Sequence, residues 1–129
     1  MRAVAADTHA ALWLLEDDPR LSPLAAAALD GASRILLPSI CLVEITYLVE
    51  KGRLDAAVLP RLFAEFDHPA TTLALAPLDL GVVLALKDIS RRDVPYLPDR
   101  VIAATARHYA VPLVTRDREI RASRIETIW

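Results

Sequence analysis

The sequence predicts an α/β protein, a three-layer α/β/α sandwich around a central parallel sheet of four or five strands. Of its 129 residues, 54% are hydrophobic but only 5% are aromatic. The core must therefore consist mainly of Ala, Leu, Val and Ile, which suits helices packed on a parallel sheet better than an all-β sandwich. Short apolar runs alternate with helical segments, as is typical of a parallel sheet flanked by helices. No linker interrupts the chain, so one domain over residues 1–129 is predicted.

Capping and helix-breaking residues bound the elements of the first half of the chain. An Asp-Thr pair ends the first apolar run and signals entry into a helix, which an Asp-Asp-Pro sequence then ends. Ser22 and Pro23 form a capped helix start with Pro at the first helical position, and Gly31 closes this helix. Gly52 ends the third helix, and Pro60 is tolerated only in the first turn of the fourth. The elements predicted here are strand 2–6, helices 9–16 and 23–31, strand 34–37, and helices 38–51 and 58–66.

The second half continues the alternation of strands and helices. An apolar run at residues 73–75 predicts a third strand, and Pro77 and Asp79 start the helix that follows it. After a polar loop, a Pro-Asp pair opens another helix that ends near Tyr109. The elements predicted here are strand 73–75, helices 79–88 and 98–109, and strands 112–115 and 126–129.

Several classes of protein are excluded by simple features of the sequence. Cys41 is the only cysteine, so an internal disulfide is impossible and a reducing compartment is indicated. The apolar run before Asp7 is too short for the core of a signal peptide. Polar residues interrupt the longest apolar stretch, 35–49, which therefore does not resemble a membrane span. We expect a soluble cytoplasmic protein without a membrane partner.

The charge distribution indicates that the C-terminal part of the chain could contact an anionic polymer. The net charge of −2 argues against a general nucleic-acid coat protein. Residues 1–86 nevertheless hold 6 basic and 11 acidic residues, whereas residues 87–129 hold 9 basic and 6 acidic ones. The mean hydropathy of +0.32 is high for a small monomer, which suggests that a partner or a second copy covers part of the surface.

Four acidic residues, far apart in the chain, are expected to meet at one edge of the sheet. Ligands of open α/β sheets bind beyond the carboxyl ends of the strands. Asp7 follows the first strand and Asp117 follows the fourth, while Asp99 begins the helix that leads into the fourth strand. Glu44 lies within about two turns of the same edge, on the helix after the second strand.

Each of these acids also has a purely structural interpretation. Asp7 and Asp99 could cap helices, and Asp117 could be a turn residue between two arginines. Glu44 is the hardest to explain in this way, because it is the one charge in an apolar helical segment. A buried carboxylate without a partner costs several kcal/mol or more, so a cation or a base is expected near it.

The chemistry that suits four carboxylates is that of a hard divalent cation. His9, His68 and His108 have no metal-ligand spacing, and Cys41 has no partner cysteine. An all-oxygen site favours Mg²⁺ or Mn²⁺, which bind phosphodiesters and activate water. With three glycines in the chain there is no glycine-rich phosphate loop, so nucleotide triphosphate or dinucleotide binding is not indicated.

Taken together and in order, the motifs resemble those of the PIN-domain family, and more narrowly of VapC-type toxins of toxin–antitoxin pairs. Each motif alone is weak, but the ordered set covers essentially the whole chain. The motifs are Asp7-Thr8-His9 with Leu12-Trp13, Pro38-Ser39 with Glu44, Pro98-Asp99-Arg100 with the apolar segment 102–106, Leu113-Val114-Thr115-Arg116-Asp117, and the closing Ile128-Trp129.

This resemblance implies a PIN-like fold and an RNA endonuclease that needs Mg²⁺ or Mn²⁺. It also implies that the four acids are the catalytic metal ligands, that Thr8 and Thr115 are polar accessories, that the protein forms a homodimer, and that a cognate antitoxin protein occludes the site. Members of this subgroup often carry Asp-Pro where this chain has Tyr96 and Leu97. The shape of the 91–97 loop is therefore open, and Asp93 is a rival for a place near the metal.

Two arginines are candidate contacts for RNA, and two other functions remain possible. Arg100 and Arg116 each adjoin a proposed ligand and could hold phosphates or form surface ion pairs. Trp13 and Tyr47 are expected to pack in the core. The first rival function is another Mg-dependent phosphoryl-transfer enzyme, although His9 stands where an aspartyl phosphatase would need its second Asp. The second is a catalytically silent PIN-like module that binds a protein.

Overall fold

The structure, a computed structural model, describes residues 2–129, and strands and helices alternate along this range. The strands are β1 Val4–Ala6, β2 Ile35–Pro38, β3 Leu73–Ala76, β4 Leu113–Val114 and β5 Thr127–Ile128. The helices are α1 Thr8–Leu15, α2 Pro23–Asp30, α3 Ser39–Glu50, α4 Val58–Asp67, α5 Leu80–Leu86, α6 Leu97–Tyr109 and α7 Arg118–Arg121.

The five strands of this range form one parallel sheet in the order β3-β2-β1-β4-β5. β1 lies at the centre, where Ala5 pairs with Leu36 of β2 on one side and with Leu113 of β4 on the other. The chain moves outward from β1 to β3 and then returns across β1 to β4. This reversal places a topological switch point between β1 and β4, where a crevice opens beyond the carboxyl ends of the strands. The predicted fold class is confirmed.

The core is built from the aliphatic side chains that the composition indicated. β1, β2 and β4 are buried along their whole length, as central parallel strands covered by helices must be. Leu37, Ile45, Ile102 and Leu113 are among the largest fully buried side chains. Burial of each stabilises the fold by about 1.5–3 kcal/mol.

Capping residues start α1, α2 and α5 where the sequence indicated, and the structure contains one helix that the sequence did not predict. The carboxylate of Asp7 and the hydroxyl of Ser22 accept hydrogen bonds from the backbone amides at the starts of α1 and α2. Asp79 does the same for α5, which ends earlier than expected, at Leu86. The additional helix is α7, a four-residue segment capped by Asp117. Its shortness explains why no helical periodicity was visible in the sequence.

The apolar stretch 35–49 is divided between β2 and the greater part of α3. The 13-residue α6 is the longest helix of the described range, and none of the helices there has the length and apolar character needed to cross a membrane.

Candidate active site

The candidate site is a cavity of about 280 Å³ at the carboxyl ends of β1 and β4, at the switch point of the sheet. All four acids singled out from the sequence lie in its wall. They come from the end of β1, from α3, from the start of α6 and from the segment after β4. The lining residues are Asp7, Thr8, His9, Trp13, Glu44, Tyr96, Asp99, Ile102, Arg116 and Asp117.

Asp7 is the most enclosed of the four acids, with 9% of its surface exposed. One carboxylate oxygen accepts a hydrogen bond from the Ala10 amide at 2.8 Å, which caps α1, and the other accepts one from the Thr115 hydroxyl. Burial raises the pKa of Asp7, while the bonds from Thr115 and Ala10 act in the opposite direction. Asp7 is therefore both a helix cap and a wall of the cavity, so its two interpretations hold together.

Thr115 links two of the acids across the ends of β1 and β4. Its hydroxyl donates to Asp7 and accepts a hydrogen bond from the Asp117 amide at 3.0 Å. The Asp117 carboxylate in turn accepts hydrogen bonds from the amides of Glu119 and Ile120 at 3.0 and 2.9 Å. Because Thr115 is fully buried, this series of hydrogen bonds fixes both carboxylates relative to the sheet.

Glu44 is held by the other threonine of the site. The Thr8 hydroxyl donates to the Glu44 carboxylate at 2.7 Å, which joins α1 to α3 beside the cavity. Cys41, one turn earlier on α3, is fully buried, and burial strongly raises the pKa of its thiol. Cys41 is therefore a neutral core residue and not a nucleophile at ordinary pH.

Asp99 is half-buried in the wall of the site. Partial burial is the main reason why its pKa rises to about 7, and the charges of Asp117, Glu44 and Asp7 raise it further. The other three acids thus all lie near enough to Asp99 to influence its ionisation. Such mutual repulsion among carboxylates marks a site where a cation would be favoured.

A cationic side chain, that of Arg116, also lines the cavity. The Arg116 guanidinium is 4.6 Å from the centre of the Trp13 ring, and that of Arg20 is 5.0 Å from the same centre. Trp13 is buried, as expected, but its ring also lines the cavity and supports Arg116. The His9 ring lies 5.4 Å from Trp13. Arg116 is thus exposed and oriented beside the acids.

Arg100, which the sequence predicted as an RNA contact, lies outside the lining of the cavity. Its guanidinium donates to the backbone carbonyl of Ile89 at 3.0 Å and to that of Leu86 at 3.3 Å. It thereby ties the loop after α5 to α6. Asp93 is exposed on that loop and lies outside the cavity lining, on a surface depression that also contains Arg118.

Two tyrosines near the cavity were not anticipated as functional. Tyr96 lines the cavity from the N-cap position of α6. In the sequence this position was noted only because VapC-type toxins often carry Asp there. Tyr47 was expected to pack in the core, but 56% of its surface is exposed. Its position three residues after Glu44 was the available signal, because residues at this spacing share one face of a helix.

The donor set of the cavity fits a hard divalent cation better than a soft one. All four acids supply carboxylate oxygens, and the thiol of Cys41 is held neutral behind them. Within residues 2–129, however, no three His, Cys, Asp or Glu side chains are already arranged to hold a metal ion. The carboxylates surround the cavity without forming a closed cage.

A second cavity, of about 450 Å³, has a different character. It lies at the amino ends of β2 and β3, beside the last turn of α1, and Leu14, Leu62 and Leu73 form part of its wall. It is remote from the four acids, so the smaller cavity is the candidate active site.

Comparison with known proteins agrees with this architecture. The chain is 31% identical over 134 residues to Ribonuclease VapC22 of Mycobacterium tuberculosis, and the match covers 100% of both chains. A crystal structure of VapBC2 from Rickettsia felis bound to a promoter DNA fragment has a TM-score of 0.70 at 16% identity, with 98% of this chain and 97% of that chain covered. A toxin–antitoxin complex from Klebsiella pneumoniae has a TM-score of 0.66 at 16% identity, over 98% and 96%. The profile of the PIN domain matches residues 4–125, and the chain therefore belongs to the PIN-domain family.

Proposed function

We propose that this protein is an endoribonuclease that depends on Mg²⁺ or Mn²⁺ and acts as the toxin of a toxin–antitoxin pair. The observation that carries the proposal is the convergence of Asp7, Glu44, Asp99 and Asp117 on one cavity at the switch point of a PIN-domain sheet. The full-length relative named as a ribonuclease supports the same activity.

The four carboxylates are the proposed ligands of the cation. A divalent ion bound there supplies Lewis-acid activation of water and of the scissile phosphate. Thr115 and Thr8 hold Asp7 and Glu44 in place through their hydroxyl groups. The pKa of Asp99 is raised first by partial burial and then by the charges of the other three acids, and a bound cation would offset that second contribution.

The remaining wall of the cavity supplies charge complementary to RNA. Arg116, supported on Trp13, is placed to pair with a backbone phosphate beside the acids. No side-chain nucleophile is proposed, because the one cysteine is buried and neutral and the acids themselves are assigned to the cation.

Two protein partners belong to the same proposal. A solved toxin–antitoxin complex with a similar fold supports a cognate antitoxin that covers the site. The exposed apolar side chains of α5, namely Leu80, Val83 and Leu84, support a homodimer.

The experiment that tests the activity is cleavage of a mixed pool of structured RNAs, with Mg²⁺, with Mn²⁺ and with EDTA. Wild-type protein is compared with Asp99→Asn and with Asp93→Asn, a matched control because Asp93 is an exposed acid outside the cavity. We expect metal-dependent cleavage by the wild type and the Asp93 variant, and none by the Asp99 variant. Asp7→Asn should behave like Asp99→Asn.

Each rival function has its own result in this experiment. Equal cleavage by wild type, Asp7→Asn and Asp99→Asn would refute the site assignment. Turnover of a small phosphate ester without RNA cleavage would indicate another phosphoryl-transfer enzyme. A folded protein that neither binds Mn²⁺ at millimolar concentration nor cleaves RNA would indicate a silent protein-binding module.

A further inference from the structure

Two exposed aromatic rings stand beside the carboxylate cavity and have no part in the core. Tyr96 lines the cavity and is 56% exposed, and its side chain makes no capping hydrogen bond to α6. Tyr47 is exposed to the same extent and follows Glu44 by three residues on α3. An exposed aromatic ring beside a binding cavity contributes little to the packing of the core and leaves its face open to a planar ligand.

The two rings belong to one surface. Tyr96 lines the cavity together with Glu44 and Asp99, and Tyr47 follows Glu44 by one turn of α3. The pKa of the Tyr96 phenol is raised, mainly by partial burial and further by Glu44, Asp99 and Tyr47. The Lys51 ammonium lies 5.3 Å from the centre of the Tyr47 ring. Glu44 and Tyr47 lie on one face of α3, and Lys51, the C-cap residue of this helix, continues the same line over about 10 Å in all. The surface therefore runs from acid to aromatic ring to cation.

The charges on either side of this surface suit a polyanion. Lys51 lies at one end of it, beside Tyr47, and Arg116 lines the cavity that Tyr96 also lines. A strand with phosphates near both cations would pass across the four acids and present its bases to the two tyrosines. Proteins that bind unpaired nucleic acid combine cationic side chains that contact the backbone with aromatic rings on which the bases stack.

We infer that Tyr96 and Tyr47 form a stacking surface for unpaired RNA bases next to the scissile phosphate, with Lys51 contacting the backbone at its far end. The inference rests on the proposed ribonuclease function and assigns these residues of the chain to the binding of its substrate. In an A-form duplex the faces of the bases are covered by their neighbours, so paired RNA could not use these rings.

The test measures binding of a short single-stranded RNA that contains 2-aminopurine, in the Asp99→Asn background with Mg²⁺ present, so that cleavage is blocked. Stacking on an aromatic ring should quench the 2-aminopurine fluorescence. We expect Tyr96→Ala or Tyr47→Ala to remove quenching and to weaken binding by between about 5- and 150-fold. Tyr96→Phe and Tyr47→Phe, which keep a ring, should retain both signals, and the same RNA annealed to its complement should bind weakly.

Tyr109→Ala is the matched control, because Tyr109 is the third tyrosine of the chain and lies at the other end of α6. It should bind RNA like the parent protein. Equal affinity in the Tyr96, Tyr47 and Tyr109 variants, equal binding of duplex and single strand, or no RNA binding at all would overturn the inference. If the tyrosine variants instead lose self-association in light scattering and keep their affinity for RNA, the rings belong to an interface between copies and the inference is wrong.

These results are separable from the test of the proposed function. Metal-dependent cleavage that Asp99→Asn abolishes, combined with no effect of Tyr96→Ala or Tyr47→Ala on binding, would leave the nuclease intact and refute the stacking surface alone.

Discussion

Asp99 couples the stability of the metal-free protein to pH. The folded state keeps a proton on this carboxyl up to a pKa of about 7, whereas a free Asp releases it near 3.8. Between these values the folded state binds more protons than the unfolded state, so the free energy of unfolding should fall as pH rises. We expect the melting temperature in EDTA to decrease from pH 5 toward pH 8.

Asp99→Asn is the variant that isolates this effect, because an amide at position 99 does not titrate. Its melting temperature should depend less steeply on pH, and Asp7, whose pKa is also raised by burial, accounts for part of the remaining slope. Mg²⁺ competes with the proton, so it should restore stability to the wild type most strongly at the alkaline end. A wild-type protein whose stability in EDTA rises across this range would contradict the assignment.

Thr115 acts on the site through Asp7 and Asp117, because its hydroxyl donates to one and accepts from the backbone of the other. Thr115→Val keeps the shape of the side chain and removes both hydrogen bonds. Loss of such a supporting contact typically lowers metal affinity or activity by about 10- to 100-fold. Isothermal titration with Mn²⁺ and the RNA cleavage assay should both show this loss.

Thr105→Val is the matched control for that measurement. Thr105 is equally buried, but its hydroxyl donates to the Val101 carbonyl of its own helix at 2.7 Å. This hydrogen bond does not involve any of the four acids. Its metal affinity should stay at the wild-type value. Equal losses in the two variants would mean that buried threonines support the fold in general and not the carboxylates.

At the scale of elements, the loop between α5 and α6 is held by the Arg100 guanidinium, which donates hydrogen bonds to the backbone carbonyls of Leu86 and Ile89. Hydrogen bonds from a charged group to backbone carbonyls contribute more than neutral ones, so Arg100→Ala should lower the free energy of unfolding by about 2 kcal/mol. Urea denaturation measures this change. The affinity of the Arg100→Ala variant for single-stranded RNA should remain within a small factor of the wild-type value, whereas Arg116→Ala should weaken RNA binding.

Arg107→Ala provides the comparison within the same helix. The Arg107 guanidinium is paired with Asp88 at 3.2 Å on the exposed surface, and such pairs contribute less than about 1 kcal/mol. If Arg100→Ala is no more destabilising than Arg107→Ala, the loop does not depend on Arg100. A loss of RNA affinity equal to that of Arg116→Ala would return Arg100 to its predicted role as an RNA contact.

The elements also show where sequence patterns are informative and where they are not. Asp7 and Ser22 marked helix starts because a cap is a local feature, readable from a few adjacent residues. The hydrogen bonds of Arg100 were not predicted, because its partners are carbonyl groups 11 and 14 residues away, which no local pattern reveals. Tyr96 was overlooked as a cavity residue for the same reason, since its surroundings are set by the packing of α3 against α6.

At the scale of the whole molecule, topology explains why four distant acids could be predicted to meet. Parallel strands place all their carboxyl ends at one edge, and the reversal between β1 and β4 opens a crevice there. Asp7 and Asp117 follow these two strands, and Thr115 joins them by hydrogen bonds that the sequence did not specify. The edge of the sheet on which the site lies was thus predictable, whereas the separations of the carboxylates were not.

The surface of the molecule leads to the last prediction, which concerns the homodimer. Leu80, Val83 and Leu84 follow one face of α5, and Leu80 is 72% exposed. An apolar face of this kind is more stable when a second copy covers it. Leu84→Arg places a charge in the centre of this face without disturbing the core, because Leu84 is 56% exposed.

We expect light scattering to give twice the 14.2 kDa chain mass for the wild type and a single chain mass for Leu84→Arg. Leu24→Arg controls for the added charge, because Leu24 is 61% exposed on α2 and lies outside the α5 face, so this variant should remain dimeric. A wild-type protein that is monomeric across its soluble concentration range would refute the dimer. If Leu24→Arg dissociates it and Leu84→Arg does not, the copies associate through α2 and the exposed face of α5 is left for another partner.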